Sequence, residues 1–322
     1  HIWKPEIDPT SAANLLEYKY TNSGTYHVMP IALGATAKVD IGPTGTATTN
    51  TLKTYGLYYQ WGRKDPLGRA GALASNTFVT TYAGATGTTV YTLNDKKADI
   101  VTLLGGDYVA EKELNGETIP ADMWMINYIT THPSEFICIN GQYNNDWAGK
   151  TNNSLWGNPF GYDYPRMTAL QQSIFDPCPK GYRVAPKDLW IAFTDNGQNR
   201  TYNVADEETW AEKLYNVLNL SADGKTNTVT TQRGYFLCYE VDNSGMRKWQ
   251  SGNADFYPTS GSRNRNNGAV ANVGTGGWDW SSSPVSGGTT SGNLGYNSTS
   301  YLSPLYALER GYAVSVRCVK AN

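Results

Sequence analysis

The chain has 322 residues, which is long enough for one large domain or two ordinary ones with a sizeable hydrophobic core. Charged residues make up only 17% of it and the formal net charge is −2, so its charge does not favour binding to nucleic acid or to an acidic membrane surface. Aromatic residues reach 12%, and glycine, asparagine, serine and threonine are abundant. This composition is typical of secreted and cell-surface proteins built from many strands and hydrogen-bonding turns.

The sequence carries no recognisable sorting segment. No apolar run approaches the 18 residues that a transmembrane helix needs. The opening residues, "HIWKPEIDPT", have neither the basic region nor the apolar region of a signal peptide. A leading histidine suggests a processed or excised part of a longer surface protein, and we expect the export signal and the anchor to lie outside this chain.

In the first half of the chain, the pattern predicts strands separated by turn-rich loops. Alternating tyrosine and leucine in "YGLYYQWGRKDP" predict a strand over 55–66 that ends at Lys-Asp-Pro. Further strands are predicted over 88–93 and, as a buried strand, over 135–140. The stretch 121–133 fits either a short helix or an extended segment.

In the second half, two helices are predicted among further strands. A proline and an early acid predict a helix over 186–193, and an acidic first turn with an apolar face predicts a longer one over 205–220. Strands are predicted over 233–241 and, by clean alternation, over 311–320. Residues 259–300 resemble a linker in composition, but their interspersed aromatics predict ordered loops and short strands. The fold class is therefore α+β with mostly antiparallel pairing.

The residues give little reason to expect catalysis. The three histidines, His1, His27 and His132, lack metal-ligand spacing, and no nucleophile, phosphate-loop or dinucleotide motif occurs. The acidic run 206–208 begins a predicted helix, where it complements the helix dipole. We expect no enzymatic activity, with a glycan-active enzyme kept as an alternative because paired carboxylates need not be close in sequence.

Four cysteines are present, Cys138, Cys178, Cys238 and Cys318, and no two are close enough for a Cys-x-x-Cys motif. Four cysteines allow three pairings, and spacing alone cannot choose among them. Cys178 lies in "IFDPCPKGYRV" with no histidine near it in sequence. A disulfide is favoured there over a reactive thiol, and a buried thiol stays open.

The residues that could bind a ligand cluster late in the chain. In "GGWDWSS", Trp278 and Trp280 fall on one side of an extended segment, with Asp279 opposite. They could form a stacking platform for sugar rings, or they could fill the core. Arg263 and Arg265, in "SGSRNRNNG", could recognise hydroxyls or carboxylates, or form a solvated turn. The predicted ligand-binding set is Trp249, Tyr257, Arg263, Arg265, Trp278, Asp279 and Trp280.

No cofactor is expected, although calcium stays open as an alternative. Calcium needs clustered carboxylate and carbonyl oxygens. Asp242 with Asn243, and Asp279, are the candidate ligands, but their spacing is not that of an EF-hand.

Several motifs together resemble a known family. They occur in the order "LYYQWGRKDPL", "HPSEFI", "NDWAGKTNNSLWGNP", "SIFDPCPKGYRVAPKDLW", "YPTSGSRN", "WDWSSS" and "GYAVSVRCVK". They resemble the Fibrobacter succinogenes major paralogous domain, as found in Bacteroides fimbrillin-like cell-surface proteins. The resemblance covers residues 55–320, so residues 55–322 are expected to form the main domain and residues 1–54 an N-terminal extension that packs on it.

The resemblance implies a C-type-lectin-like fold, with a mixed sheet, two helices and long ordered loops. It implies an exported, non-enzymatic adhesin-like module at the outer membrane surface or on a pilus (fimbrium). The partner would be a glycan or a host or bacterial surface protein. A structural pilus subunit that contacts only other subunits is the alternative. On the lectin-like pattern, Cys178 pairs with Cys318. The lectin calcium signatures are absent, so calcium-dependent sugar binding is not implied.

Overall fold

The computed structural model describes residues 8–11, 15–20, 24–38, 51–72, 75–79, 81–83, 89–92, 96–157, 172–191, 200–201, 234–238, 254–285, 289–297 and 301–321. These residues form mostly β-sheets, with few and short helices. Among them, no helix has the length and apolar character needed to cross a membrane.

The described helices are α1 (Ile100–Leu104), α2 (Ala121–Thr131) and α3 (Lys187–Ile191). The strands in chain order are β1 (Leu16–Tyr20), β2 (Gly24–Val28), β3 (Tyr59–Gln60), β4 (Arg69–Ala72), β5 (Ser75–Val79), β6 (Thr81–Ala83), β7 (Thr89–Thr92), β8 (Lys96–Asp99), β9 (Glu111–Leu114), β10 (Glu117–Pro120), β11 (Glu135–Cys138), β12 (Tyr182–Val184), β13 (Arg200–Thr201), β14 (Gly234–Cys238), β15 (Ala254–Pro258), β16 (Ser262–Arg263), β17 (Val270–Ala271), β18 (Gly276–Pro284), β19 (Thr290–Asn297), β20 (Tyr301–Glu309), β21 (Ala313–Val316) and β22 (Cys318–Lys320).

The largest sheet has the strand order β13-β20-β19-β18-β21-β16-β17, and β3 also pairs with β21. Its centre is the antiparallel run β18, β19 and β20, whose strands are eight or nine residues long. Strand β21 returns beside β18 in parallel register, with Asp279 opposite Ser315. A smaller sheet has the order β1-β2-β22-β12 and joins strands from both ends of the chain.

Arg317 separates the last two strands, so that β21 belongs to the large sheet and β22 to the small one. Its guanidinium is fully buried and donates to the carbonyl oxygens of Phe256 (2.9 Å) and Met29 (3.4 Å). The N–H of Met29 in turn donates to the carbonyl oxygen of Cys318 at 2.9 Å. The two sheets are therefore joined through backbone groups from distant parts of the chain.

The core is rich in tryptophan, and each indole N–H that the core buries needs an acceptor. Trp61 donates to the carbonyl oxygen of Ser281 (2.9 Å), and Trp280 donates to that of Tyr59 (2.8 Å). Trp147 donates to the carbonyl oxygen of Trp61 at 2.6 Å. These bonds fix β3 and the turn after it against β18.

Many of the predicted elements are confirmed. Residues 121–133, left open between helix and strand, contain α2, whose Ala121, Met125 and Ile129 face the core. Helix α3 lies within 186–193, and strands lie within 88–93, 135–140 and 233–241. The pairing is mostly antiparallel, with β8–β11 and β18–β21 parallel. The predicted helix over 205–220 lies outside the described residues.

Three predictions need correction. Only Tyr59–Gln60 within 55–66 is a strand, because the chain turns at Gly62, whose φ is +87°. In this turn, the N–H of Arg63 donates to the carbonyl oxygen of Gln60. Residues 259–300 contain the predicted short strands, β16 and β17, but also the long strands β18 and β19, because the small residues of those two strands fit a buried sheet. Residues 311–320 form two strands in two sheets rather than one.

A disulfide joins Cys178 to Cys318 across 140 residues, with the two Cα atoms 5.9 Å apart. This confirms the pairing that the resemblance implies. The buried Asp176 shapes the approach to it, because its carboxylate accepts the N–H groups of Cys178 (2.8 Å) and Val184 (3.0 Å). Burial nevertheless outweighs these donors and raises the pKa of Asp176 to about 7.

This raised pKa predicts a pH dependence of stability. Because the folded chain holds the Asp176 proton more tightly than the unfolded chain, the contribution of Asp176 to the free energy of unfolding should be highest below about pH 4 and fall as the pH rises from about 4 to about 7. Asp176→Asn should reduce this slope in urea unfolding measured across that pH range. Asp146 and Asp279 shift in the same direction, so some slope should remain. The exposed control Asp107→Asn should keep the wild-type slope, and an unchanged slope in Asp176→Asn would contradict the prediction.

Candidate functional site

The structure divides the predicted ligand-binding residues. Tyr257, Arg263, Asp279 and Trp280 are almost completely buried, so the expectation that they are exposed is wrong. Trp278 and Arg265 are half-buried and reach the surface. The seventh residue, Trp249, lies outside the described residues.

The buried residues of the predicted ligand-binding set pack inside the protein instead. Trp280 points inward because its strand runs through the centre of the large sheet, where its indole N–H finds the carbonyl of Tyr59. The Arg263 guanidinium lies 4.7 Å above the ring of Phe136, and its Nε donates to the carbonyl oxygen of Gly268 at 2.8 Å. A cation over an aromatic face can be buried at a tolerable cost.

Asp279 belongs to a buried polar cluster on the opposite face of β18 from Trp278 and Trp280, as the alternation predicts. The Tyr296 hydroxyl donates towards Asp279 Oδ2 (3.0 Å) and the carbonyl oxygen of Pro258 (2.9 Å). Burial raises the pKa of Asp279, an effect that the charge of Arg317 opposes. Tyr257 completes the cluster, with the Arg317 guanidinium 4.0 Å from its ring. The cluster is closed to solvent and stabilises the junction of the sheets.

The best candidate for a binding site is a half-buried patch that we call the aromatic surface. It consists of Trp278, Tyr306, Tyr312, Arg265 and Glu309, all of which keep part of their side chain in contact with solvent. The three rings pack against the edge of the main core. Strand β18 supplies the tryptophan, and β20 with the turn after it supplies Tyr306, Glu309 and Tyr312.

Gly295 in β19 brings two of these rings together. It pairs with Trp278, and a Cβ at this position would lie 3.3 Å from Trp278 Cδ1 and 3.2 Å from Tyr306 Cγ. Both contacts are tight for a Cβ, so any larger residue would push the rings apart. The glycine therefore lets the tryptophan and the tyrosine pack over the strand from either side.

Hydrogen bonds hold Arg265 in one orientation at the edge of the aromatic surface. Its Nη1 donates to the Tyr312 hydroxyl and its Nε to Asn145 Oδ1, each at 2.9 Å. Glu309 Oε1 lies 3.8 Å from Arg265 Nη1. The side chain of Arg265 is 21% exposed and that of Glu309 is 32% exposed, so both charges remain within reach of a ligand.

The aromatic surface combines ring faces with oriented polar groups. Burial raises the pKa of Tyr306, and the nearby Glu309 and Tyr312 raise it further, so its hydroxyl stays neutral and can donate. A planar guanidinium and a carboxylate can bind the hydroxyl groups of a ligand, while the rings contact its apolar faces. Such a combination is suited to the recognition of a ligand.

Sequence reasoning identified Trp278 and Arg265 but missed Tyr306, Glu309 and Tyr312. The missed residues lie within "YALERGY", where two aromatic residues and a carboxylate flank a turn between two strands. An aromatic pair beside a hairpin turn is a usable signal. Only the pairing of β18 with β19 and of β19 with β20, however, places that turn beside Trp278.

Of the three calcium candidates, the structure describes only Asp279. Among the described residues, no group of three or more histidine, cysteine, aspartate or glutamate side chains is arranged to hold a metal ion. Asp279 is engaged by Tyr296 in the buried cluster. Asp242 and Asn243 lie outside the described residues.

Comparison of the chain with protein-family models, curated proteins and solved structures found no match.

Proposed function

We propose that the protein is a non-enzymatic, exported adhesin-like module that binds a glycan on the aromatic surface. The observation that carries the proposal is the juxtaposition of three half-buried rings with an Arg265 side chain that two hydrogen bonds hold in place. Sugar rings present apolar C–H faces and many hydroxyl groups. A preorganised site of rings and oriented donors suits both, because little side-chain freedom is lost on binding.

The same proposal includes an extracellular location, at the outer membrane surface or on a pilus, and a fold related to C-type lectins. The disulfide supports the location, because such bonds persist in oxidising compartments. It also supports the lectin-like relationship, because it joins the segment before α3 to the last strand. The resemblance of the sequence motifs to those of fimbrillin-like proteins supports the same class.

Binding of the purified chain to an array of neutral and sialylated oligosaccharides tests the function. We expect Trp278→Ala to lower the affinity for the glycan found by at least ~10-fold, the loss expected when a central tryptophan is removed from an interface. Tyr312→Phe, which removes only the hydroxyl that Arg265 contacts, should weaken binding by a smaller factor and leave the fold intact.

The matched control is Trp124→Ala, which removes a half-buried tryptophan from helix α2 rather than from the aromatic surface. It should leave the affinity unchanged. Glycan binding that survives both Trp278→Ala and Tyr312→Phe would move the site elsewhere. Binding to a surface protein or to another pilus subunit, with no glycan bound, would overturn the glycan assignment.

A further inference from the structure

A second concave site lies beside the disulfide and shares no residue with the aromatic surface. It is a pocket of about 420 Å³ whose apolar lining includes Leu33, Leu57, Tyr59 and two of the prolines around Cys178, Pro177 and Pro179. A volume of this size falls within the range of small-molecule sites, which are typically apolar with few polar groups.

The walls of this pocket are held in place. Pro177 and Pro179 flank Cys178, which is covalently tied to Cys318 at the start of the last strand. On the other segment, the N–H of Leu57 donates to the carbonyl oxygen of Leu33 at 3.0 Å. Gly34, with φ at +85°, leaves no room for a side chain, because a Cβ there would lie 2.5 Å from the Leu57 side chain. A pocket with such walls is largely preformed.

Two charged groups line the pocket, and they differ in how their hydrogen-bonding capacity is used. Lys64 Nζ donates to the carbonyl oxygen of Ile174 at 3.1 Å. The half-buried Asp65 carboxylate accepts no hydrogen bond from any residue that the structure describes. Burial raises its pKa, although the charges of Arg63 and Lys64 oppose this effect. The neighbouring prolines offer no N–H, so this partly exposed carboxylate can accept a hydrogen bond from a ligand that enters the pocket.

We propose that this pocket binds a small primary amine with a compact apolar body, whose ammonium group donates to Asp65 while its body packs on Leu33, Leu57 and Tyr59. The ammonium supplies a hydrogen-bond donor and a positive charge, and a charge-assisted hydrogen bond in a partly desolvated place is stronger than one in water. The apolar lining contributes by removing the ligand body from water.

Titration of the isotopically labelled full chain with 2-phenylethylamine, followed by NMR of the leucine methyl groups, tests this site. We expect saturable shifts of the Leu33 and Leu57 methyl signals. The neutral 2-phenylethanol and the anionic 3-phenylpropanoate should each bind at least ~10-fold more weakly, the factor expected for a lost charge-assisted hydrogen bond. Asp65→Asn should weaken the amine by a similar factor and remove its preference over the alcohol.

The control variant is Glu117→Gln, which removes one exposed negative charge from β10 and should leave the affinity unchanged. Three results would overturn the proposal: no saturable shift at Leu33 and Leu57, tighter binding of the carboxylate than of the amine, or full amine affinity in Asp65→Asn. Each of these results leaves glycan binding at the aromatic surface unaffected, because the two sites share no residue.

Discussion

Removing the disulfide by Cys178→Ala together with Cys318→Ala is expected to lower the free energy of unfolding by about 5 kcal/mol. The bond closes a loop of 140 residues, and the loss of chain entropy in the unfolded state grows with the logarithm of loop length. The same bond joins the segment that leads into β12 to β22, which pair with each other, so its loss also loosens that edge of the small sheet. Urea unfolding of the oxidised proteins measures the difference.

The matched control is Cys138→Ala, because Cys138 is a buried cysteine outside this bridge. It tests the cost of losing a buried sulfur and should destabilise the protein by only about 1 kcal/mol. A reductant should destabilise the wild type to the level of the double variant and leave the double variant unchanged. If the unfolding midpoint of the wild type is the same with and without the reductant, the bridge does not stabilise the protein.

Local patterns in the sequence predicted individual strands better than they predicted which strands lie side by side in the sheets. Alternation identified the strands within 135–140 and 233–241, because alternation reflects a local requirement for one buried face. The division at Arg317 could not be predicted, since Arg317 occupies an ordinary place in an alternating run. Its side chain bonds to Phe256 and Met29, and the second of these is 288 residues away in sequence.

The candidate site shows the same limit of local patterns, because they predicted exposure for a side chain that the fold buries. Arg263 was predicted to be exposed because it lies in a polar, asparagine-rich segment, yet Phe136 and Gly268 enclose it. Arg265, two residues later, does reach the surface. Composition cannot separate these two arginines, because their burial depends on what the fold packs against each of them.

Breaking the buried ion pair between Arg310 and Asp146 is expected to cost about 3–5 kcal/mol of unfolding free energy, the usual loss when one partner of a buried pair is removed. Arg310 Nη1 lies 3.4 Å from Asp146 Oδ2, and both side chains are at most 2% exposed. The guanidinium also donates to Ser291 Oγ (3.1 Å) and lies 4.1 Å from the Trp61 ring. Asp146→Asn leaves this cation buried without its counter-charge.

The sharpest measurement compares Asp146→Asn with Glu309→Gln, since both replace a carboxylate next to an arginine with the amide of the same shape. The pair of Glu309 with Arg265 is 3.8 Å long and partly exposed, so breaking it should cost about 1 kcal/mol or less. If water reaches the Arg310 site, the two substitutions should instead lower the free energy of unfolding, measured in urea, by similar amounts. The pair of Arg310 with Asp146 would then stabilise the protein no more than an exposed pair does. A much larger loss for Asp146→Asn would show that burial, rather than the mere presence of an ion pair, makes Arg310 hold the loop at Asp146 against β19 and Trp61.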